Sequence, residues 1–168
     1  NFGIGVSDAG TIEAQGAGSV TLAGTGGSAG VDNDGIFLDL STVTAATGAI
    51  SLNGTAGDDG LGGASGLGIF SLGQIGSASS SGPITLTADT LELGLGAVVQ
   101  GTGDLVLQPE NATTEIGVGA AAGTFQLSSD ELARLQDGFN SITIGRADGT
   151  GKITVDGAGF LGPVALRT

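Results

Sequence analysis

The sequence predicts an all-β chain, a right-handed parallel β-helix (β-solenoid) with one short helix near residues 128–137, and three observations predict it. A Gly-x-aliphatic-x-aliphatic triplet recurs as GSVTL from Gly18, GAISL from Gly48, GPITL from Gly82, GDLVL from Gly103 and GKITV from Gly151. A second element, GIGV from Gly3, GIFLDL from Gly35 and GIFSL from Gly68, precedes three of these triplets. Apolar residues alternate with period two, as in strands that bury one face, and helical periodicity is confined to a single segment.

Aligned on both elements, residues 1–109 form three units of about 30 to 34 residues and a fourth of about 21, self-similarity of the kind that marks stacked architectures. Each of the first three runs strand, short turn, strand, turn, triplet strand, then a Gly/Asp-rich loop. The fourth, TLELGLGAVVQGTGDLVLQ, lacks the loop. Val20, Ile50, Ile84 and Leu105 then form one column, and Leu22, Leu52, Leu86 and Leu107 another. Between them stand Thr21, Ser51, Thr85 and finally Val106. With tiers about 4.8 Å apart, the aliphatic columns make an interior ladder and the hydroxyl column faces water. The glycine heading each triplet is expected to allow turn conformations that a Cβ obstructs. Phe37 and Phe70 align between successive units and are expected to stack in the core.

Residues 110–168 read as a continuation or cap of this array. In SSDELARLQDG, Ser128 and Glu131 fit a capping box, Leu132 and Leu135 share a face, and Gly138 suits the C′ position. SITIGRADGTGKITV reads either as a hairpin about Asp148-Gly149 or as two edges of a further coil. Recurrence of the triplet at Gly151, and again in GPVAL from Gly162, favours the coil.

Composition narrows the chemistry. The 168 residues include 35 glycines and no His, Cys, Met, Trp or Tyr. Without His or Cys there is no side chain with an unperturbed pKa near neutrality, no thiolate nucleophile and no soft metal site. Triads built on His are excluded, which leaves carboxylate, Ser/Thr or Lys chemistry. With only Arg134, Arg146, Lys152 and Arg167 against 17 acidic residues, the net charge of −13 argues against nucleic acid as a partner. No apolar run is long enough for a membrane span, and the start at Asn1 without an initiator Met suggests an interior fragment.

The strings GAISLNGTAGDD, GPITLTADTLELG and GDLVLQP, with LARLQDGFNSITIGRADGTGKITV after them, resemble the repeats of filamentous haemagglutinin-type bacterial exoproteins. That resemblance implies secretion, usually through a partner outer-membrane pore, an extracellular or cell-surface location, and a role as stalk or adhesive fibre. It brings no catalytic residues.

The expected function is therefore a structural or adhesive segment without catalysis. Its expected partners are further repeats of a longer parent chain, or copies of itself stacked end to end. The alternative is a calcium-dependent carbohydrate- or surface-binding module acting on host or matrix glycans. Its candidate residues are Asp32 and Asp34 in VDNDG with Asp58 and Asp59 in AGDDG, which follow triplet strands of consecutive units and place hard oxygen ligands side by side. Such Asp-Gly clusters are also ordinary turn formers. Thr42 to Thr44 resemble the threonine arrays of ice-binding surfaces. In the alignment, however, Thr42 and Thr44 meet Gly10 and Ile12, then Ile75 and Ser77, so the ladder breaks.

Overall fold

A computed structural model of the chain describes residues 1–58 and 63–168. Strands follow one another in threes. The first tier holds β1 (Ile4–Val6), β2 (Thr11–Ala14) and β3 (Val20–Thr25). The second holds β4 (Ile36–Asp39), β5 (Thr42–Ala45) and β6 (Ile50–Thr55), and the third β7 (Leu67–Phe70), β8 (Gln74–Ile75) and β9 (Ile84–Ala88). The fourth holds β10 (Leu91–Leu93), β11 (Val98–Val99) and β12 (Asp104–Pro109).

Each strand of the first three tiers pairs in parallel with the strand three places later, giving a first sheet β1-β4-β7-β10 and a second sheet β2-β5-β8-β11. A third sheet runs β3-β6-β9-β12 and continues through β15 (Ser141–Gly145) to β17 (Val164–Arg167). The architecture is all-β with parallel sheets throughout the described residues. Inward residues of these sheets merge into one apolar cluster, because alternate side chains of every strand point to the same interior.

The two aliphatic columns read from the triplets are the observed register. Val20 pairs Ile50, Ile50 pairs Ile84 and Ile84 pairs Leu105, while Leu22, Leu52, Leu86 and Leu107 align two residues on. The same columns continue through Ile142 and Ile144 of β15 (Ser141–Gly145) to Val164 and Leu166 of β17 (Val164–Arg167). The glycine column has a different cause from the one expected. Gly18, Gly48, Gly82 and Gly103 do not adopt positive φ. Instead a Cβ on Gly48 would lie 2.0 Å from the Gly18 carbonyl oxygen, and one on Gly82 2.0 Å from that of Gly48. Close approach to the tier before requires glycine at Gly48, Gly82 and Gly103.

Three alignments shift. Leu67, not Ile69, pairs Ile36, so Phe37 lies opposite Gly68 and Phe70 opposite Asp39. Period two then turns Phe37 outward between buried Ile36 and Leu38, and the expected core pair becomes an external row. Phe2 stacks on Phe37 with ring centroids 4.3 Å apart, and Phe70 lies 5.5 Å beyond Phe37 with its ring folded over Gly68. In the second sheet Thr42 meets Thr11 and then Gln74, one residue away from the expected partners, so the threonine row ends after two members. Finally, GKITV does not join the triplet sheet.

That last difference arises from residues 110–124. After β12 the chain forms β13 (Ile116–Gly119) and returns as β14 (Phe125–Leu127), which pairs β13 in parallel. The short helix α1 (Ser129–Leu132) follows. Leu135 then bridges Val99 of the second sheet before β15 joins the third. The strand β16 (Ile153–Asp156), carrying GKITV, pairs β13 in a fourth sheet β14-β13-β16. β15 and β16 belong to different sheets and do not pair with each other as a hairpin, and β16 does not continue the triplet column either. The capping box forms as read: the Ser128 hydroxyl accepts from the Glu131 amide, and the Glu131 carboxylate accepts from the Ser128 amide. The helix ends at Ala133, well before Gly138.

Candidate functional site

Of the four aspartates singled out, the structure places three. They lie on the loops that leave β3 and β6, which run beside each other: the Gly57 amide donates to the Asn33 carbonyl at 2.7 Å and the Gly35 amide to Ser65 at 3.0 Å. Asp34 is 5 % exposed and its Oδ1 accepts from the Ser65 amide at 2.6 Å. Burial raises its pKa above the ordinary 3.8, the charge of Asp32 adds to this, and the Ser65 hydrogen bond opposes it. Asp32 and Asp58 are exposed. Asp59 lies outside the described residues. Among the described residues no group of three or more acidic side chains gathers as metal ligands do.

The carboxylates along this corner have another observable use, which is to tie one tier to the next. Asp34 accepts from Ser65, and the Ser65 hydroxyl donates to Glu92 at 3.0 Å. Asp89 accepts from the Ala56 amide through both oxygens at 3.1 Å. The Thr55 hydroxyl donates to Glu110 at 3.1 Å. Each bond joins residues 27 to 55 positions apart in sequence, satisfying loop amides and hydroxyls that no strand ladder reaches.

A groove of about 350 Å³ lies where the first sheet gives way to the fourth. Its walls include Ser65, Thr90, Glu92, Gln126, Ser128 and Glu131. β10 and β14 share no ladder there, and Glu131 fills the gap: its Oε1 accepts from the Leu93 amide at 3.2 Å and its Oε2 from the Ser128 amide and hydroxyl at 2.8 Å. Hydroxyls, a carboxamide and two carboxylates suit hydrogen bonding to a polar or cationic group. Among the described residues no cationic side chain lines the groove. Glu131 is legible in sequence as a helix cap. Its contact with Leu93, and the groove itself, depend on β14 being placed beside β10 by the return from β13, which no periodic pattern announces.

A scan against protein-family models found no match to this chain, and searches of curated proteins and of solved structures found none either.

Proposed function

We propose that this chain is a section of a right-handed parallel β-helix that serves as a structural, adhesive part of an extracellular bacterial fibre or surface protein, without catalysis. The observation that carries the reading is the pairing of every strand in the first three tiers with the strand three places on, around one shared core. Parallel strands joined by crossovers of this kind wind right-handed in nearly all cases. Supporting it, the apolar interior is closed in the middle and half-open at both ends. Ile4, Val6, Ile12, Ala14 and Leu22 in the first tier, and Ile153 and Val164 in the last strands, pack against the core while only partly buried.

Half-buried inward side chains beside unpaired strand edges invite another parallel tier, from a longer chain or from a copy stacked end to end. Negative-stain electron microscopy of the purified chain tests this. Rods or linear oligomers, with retention on host or matrix surfaces, are expected; uniform single particles that bind no surface would sink the reading.

The polar groove by Glu92 and Glu131 favours a second reading, a module that binds glycans, with or without calcium. Glycan arrays with calcium and with chelator distinguish the two: signal abolished by Glu92→Gln, at the groove, supports the module, and silence on every glycan leaves the rod.

A further inference from the structure

One register position at the corner between the first and second sheets is conformationally costly in four successive tiers. Two residues before Thr11, Thr42, Gln74 and Val98, which are mutually aligned, stand Ala9, Leu40, Leu72 and Gly96. All four adopt left-handed backbone, with φ of 64°, 48°, 70° and 82°. For a residue with a Cβ this conformation is strained, and Gly or Asn relieves the strain. Two tiers nevertheless place a leucine there, and the fourth places Leu95 immediately before its glycine.

These leucines do not repay that cost by packing. Leu40 is 48 % exposed, Leu72 70 % and Leu95 84 %, so the corner is an apolar ridge in water. The corner needs a left-handed residue but not a leucine, and exposed apolar side chains grouped on one surface mark interaction sites. Phe37 and Phe70 border the ridge on the outer face of the first sheet, where Phe70 packs over Gly94 beside Leu95.

Charge selects the occupant. Residues 1–109 carry ten carboxylates and no cation, and Asp8 and Asp39 immediately precede Ala9 and Leu40. A second copy laid side by side, or an anionic lipid surface, brings like charge against this face. We propose that the ridge docks a cationic amphipathic protein segment, one that sets apolar side chains on Leu40, Leu72 and Leu95 and lysine or arginine beside Asp8 and Asp39. This names a partner for the adhesive rod and rests on that reading for its setting, though the ridge stands on its own geometry.

The test compares wild type with the triple variant Leu40→Asn, Leu72→Asn, Leu95→Asn, using an acetylated alternating Leu-Lys decapeptide as probe and oligolysine as a charge-only control. Asparagine tolerates the left-handed backbone at positions 40 and 72, and Leu95 is almost fully exposed, so the variant is expected to keep or raise its melting temperature. Calorimetric titration is expected to show Leu-Lys binding weakened on the order of tenfold or more, with oligolysine binding unchanged. Equal Leu-Lys binding by both proteins, or a melting temperature lowered by the substitutions, overturns the proposal. So does a wild-type dimer in sedimentation that the substitutions dissolve, because the occupant is then a second copy. Rods seen by microscopy in both proteins keep the two readings separable: loss of peptide binding failing to appear sinks the ridge and leaves the rod.

Discussion

The third sheet and the first sheet share the same tiers yet differ in continuity. The third runs unbroken through six strands, from β3 to β17, whereas the first stops at β10 and the fourth takes over beyond a polar groove. The third sheet is continuous in its backbone ladders and aliphatic columns, with side-chain bonds such as Asp104 to Ser141 added at its surface. At the seam, side chains do the joining, with Glu131 receiving the Leu93 amide that a neighbouring strand would otherwise engage. Apolar burial and a regular ladder sustain a stack; where the ladder lapses, charge-assisted hydrogen bonds substitute for it.

The largest test of this contrast lies in the third sheet's own column. Leu52 is 0 % exposed in the middle of the stack, and Leu52→Ala is expected to cost about 2–5 kcal/mol in urea denaturation. Leu22, its neighbour in the first tier, is only partly buried, so Leu22→Ala is expected to cost about half as much. Equal losses would mean that the first tier is as closed as the second. Next comes Gly48→Ala, whose new methyl meets the Gly18 carbonyl; about 1–3 kcal/mol is expected, with the two tiers forced apart. A neutral result there would return the glycine column to a turn preference.

This sheet was also the most legible part of the sequence, for a physical reason. Val20-Ile50-Ile84-Leu105 could be aligned by eye because a buried, two-sided column tolerates only aliphatic residues and its heading glycine admits no Cβ. The first sheet was read two residues out at β7, since GIFSL looks like GIFLDL while it is LGIF that pairs. Phe70 satisfies the aromatic row from the wrong register position by folding its ring over Gly68, so the apparent match of Phe37 with Phe70 misled. The seam was illegible because β14 pairs out of chain order. Of the candidate aspartates, position in loops after triplet strands was readable; that Asp34 turns inward onto the Ser65 amide was not, because a turn-forming Asp and a buried one look alike in sequence.

At the seam itself, Ser128→Ala removes the hydroxyl that accepts from the Glu131 amide and donates to its carboxylate. About 1 kcal/mol is expected, smaller than the loss at Leu52. Glu131→Ala keeps the bond from the residue-131 amide to the Ser128 hydroxyl but loses the carboxylate's bonds to the Ser128 amide and hydroxyl and to the Leu93 amide, and should exceed Ser128→Ala by about another 1 kcal/mol. Identical losses in thermal melts would show that the Leu93 contact contributes nothing to joining β10 and β14.

The smallest effect separates the two regions by sign. At the start of β12 in the third sheet, Asp104 accepts from the Asn140 side chain and from the Ser141 hydroxyl, each at 2.7 Å, and these bonds lower its pKa. What it contributes is present above the unfolded value of 3.8 and lost as pH falls through the folded one. Asp34, leading into the first sheet, is shifted the other way because burial disfavours its charge. Its contribution is complete below 3.8 and lost as pH rises through its folded value, since the unfolded chain then gives up the proton more readily. Asp34→Asn keeps an oxygen for the Ser65 amide and carries no charge to bury. The variant's urea midpoint, taken relative to wild type, is therefore expected to rise between pH 3.5 and pH 7, by an amount worth roughly 1 kcal/mol or less. For Asp104→Asn the relative midpoint is expected to fall over the same range. Two curves of the same sign would mean that the Ser65 bond outweighs burial at Asp34, and that the loop before the first sheet is stabilised by charge just as the start of β12 is.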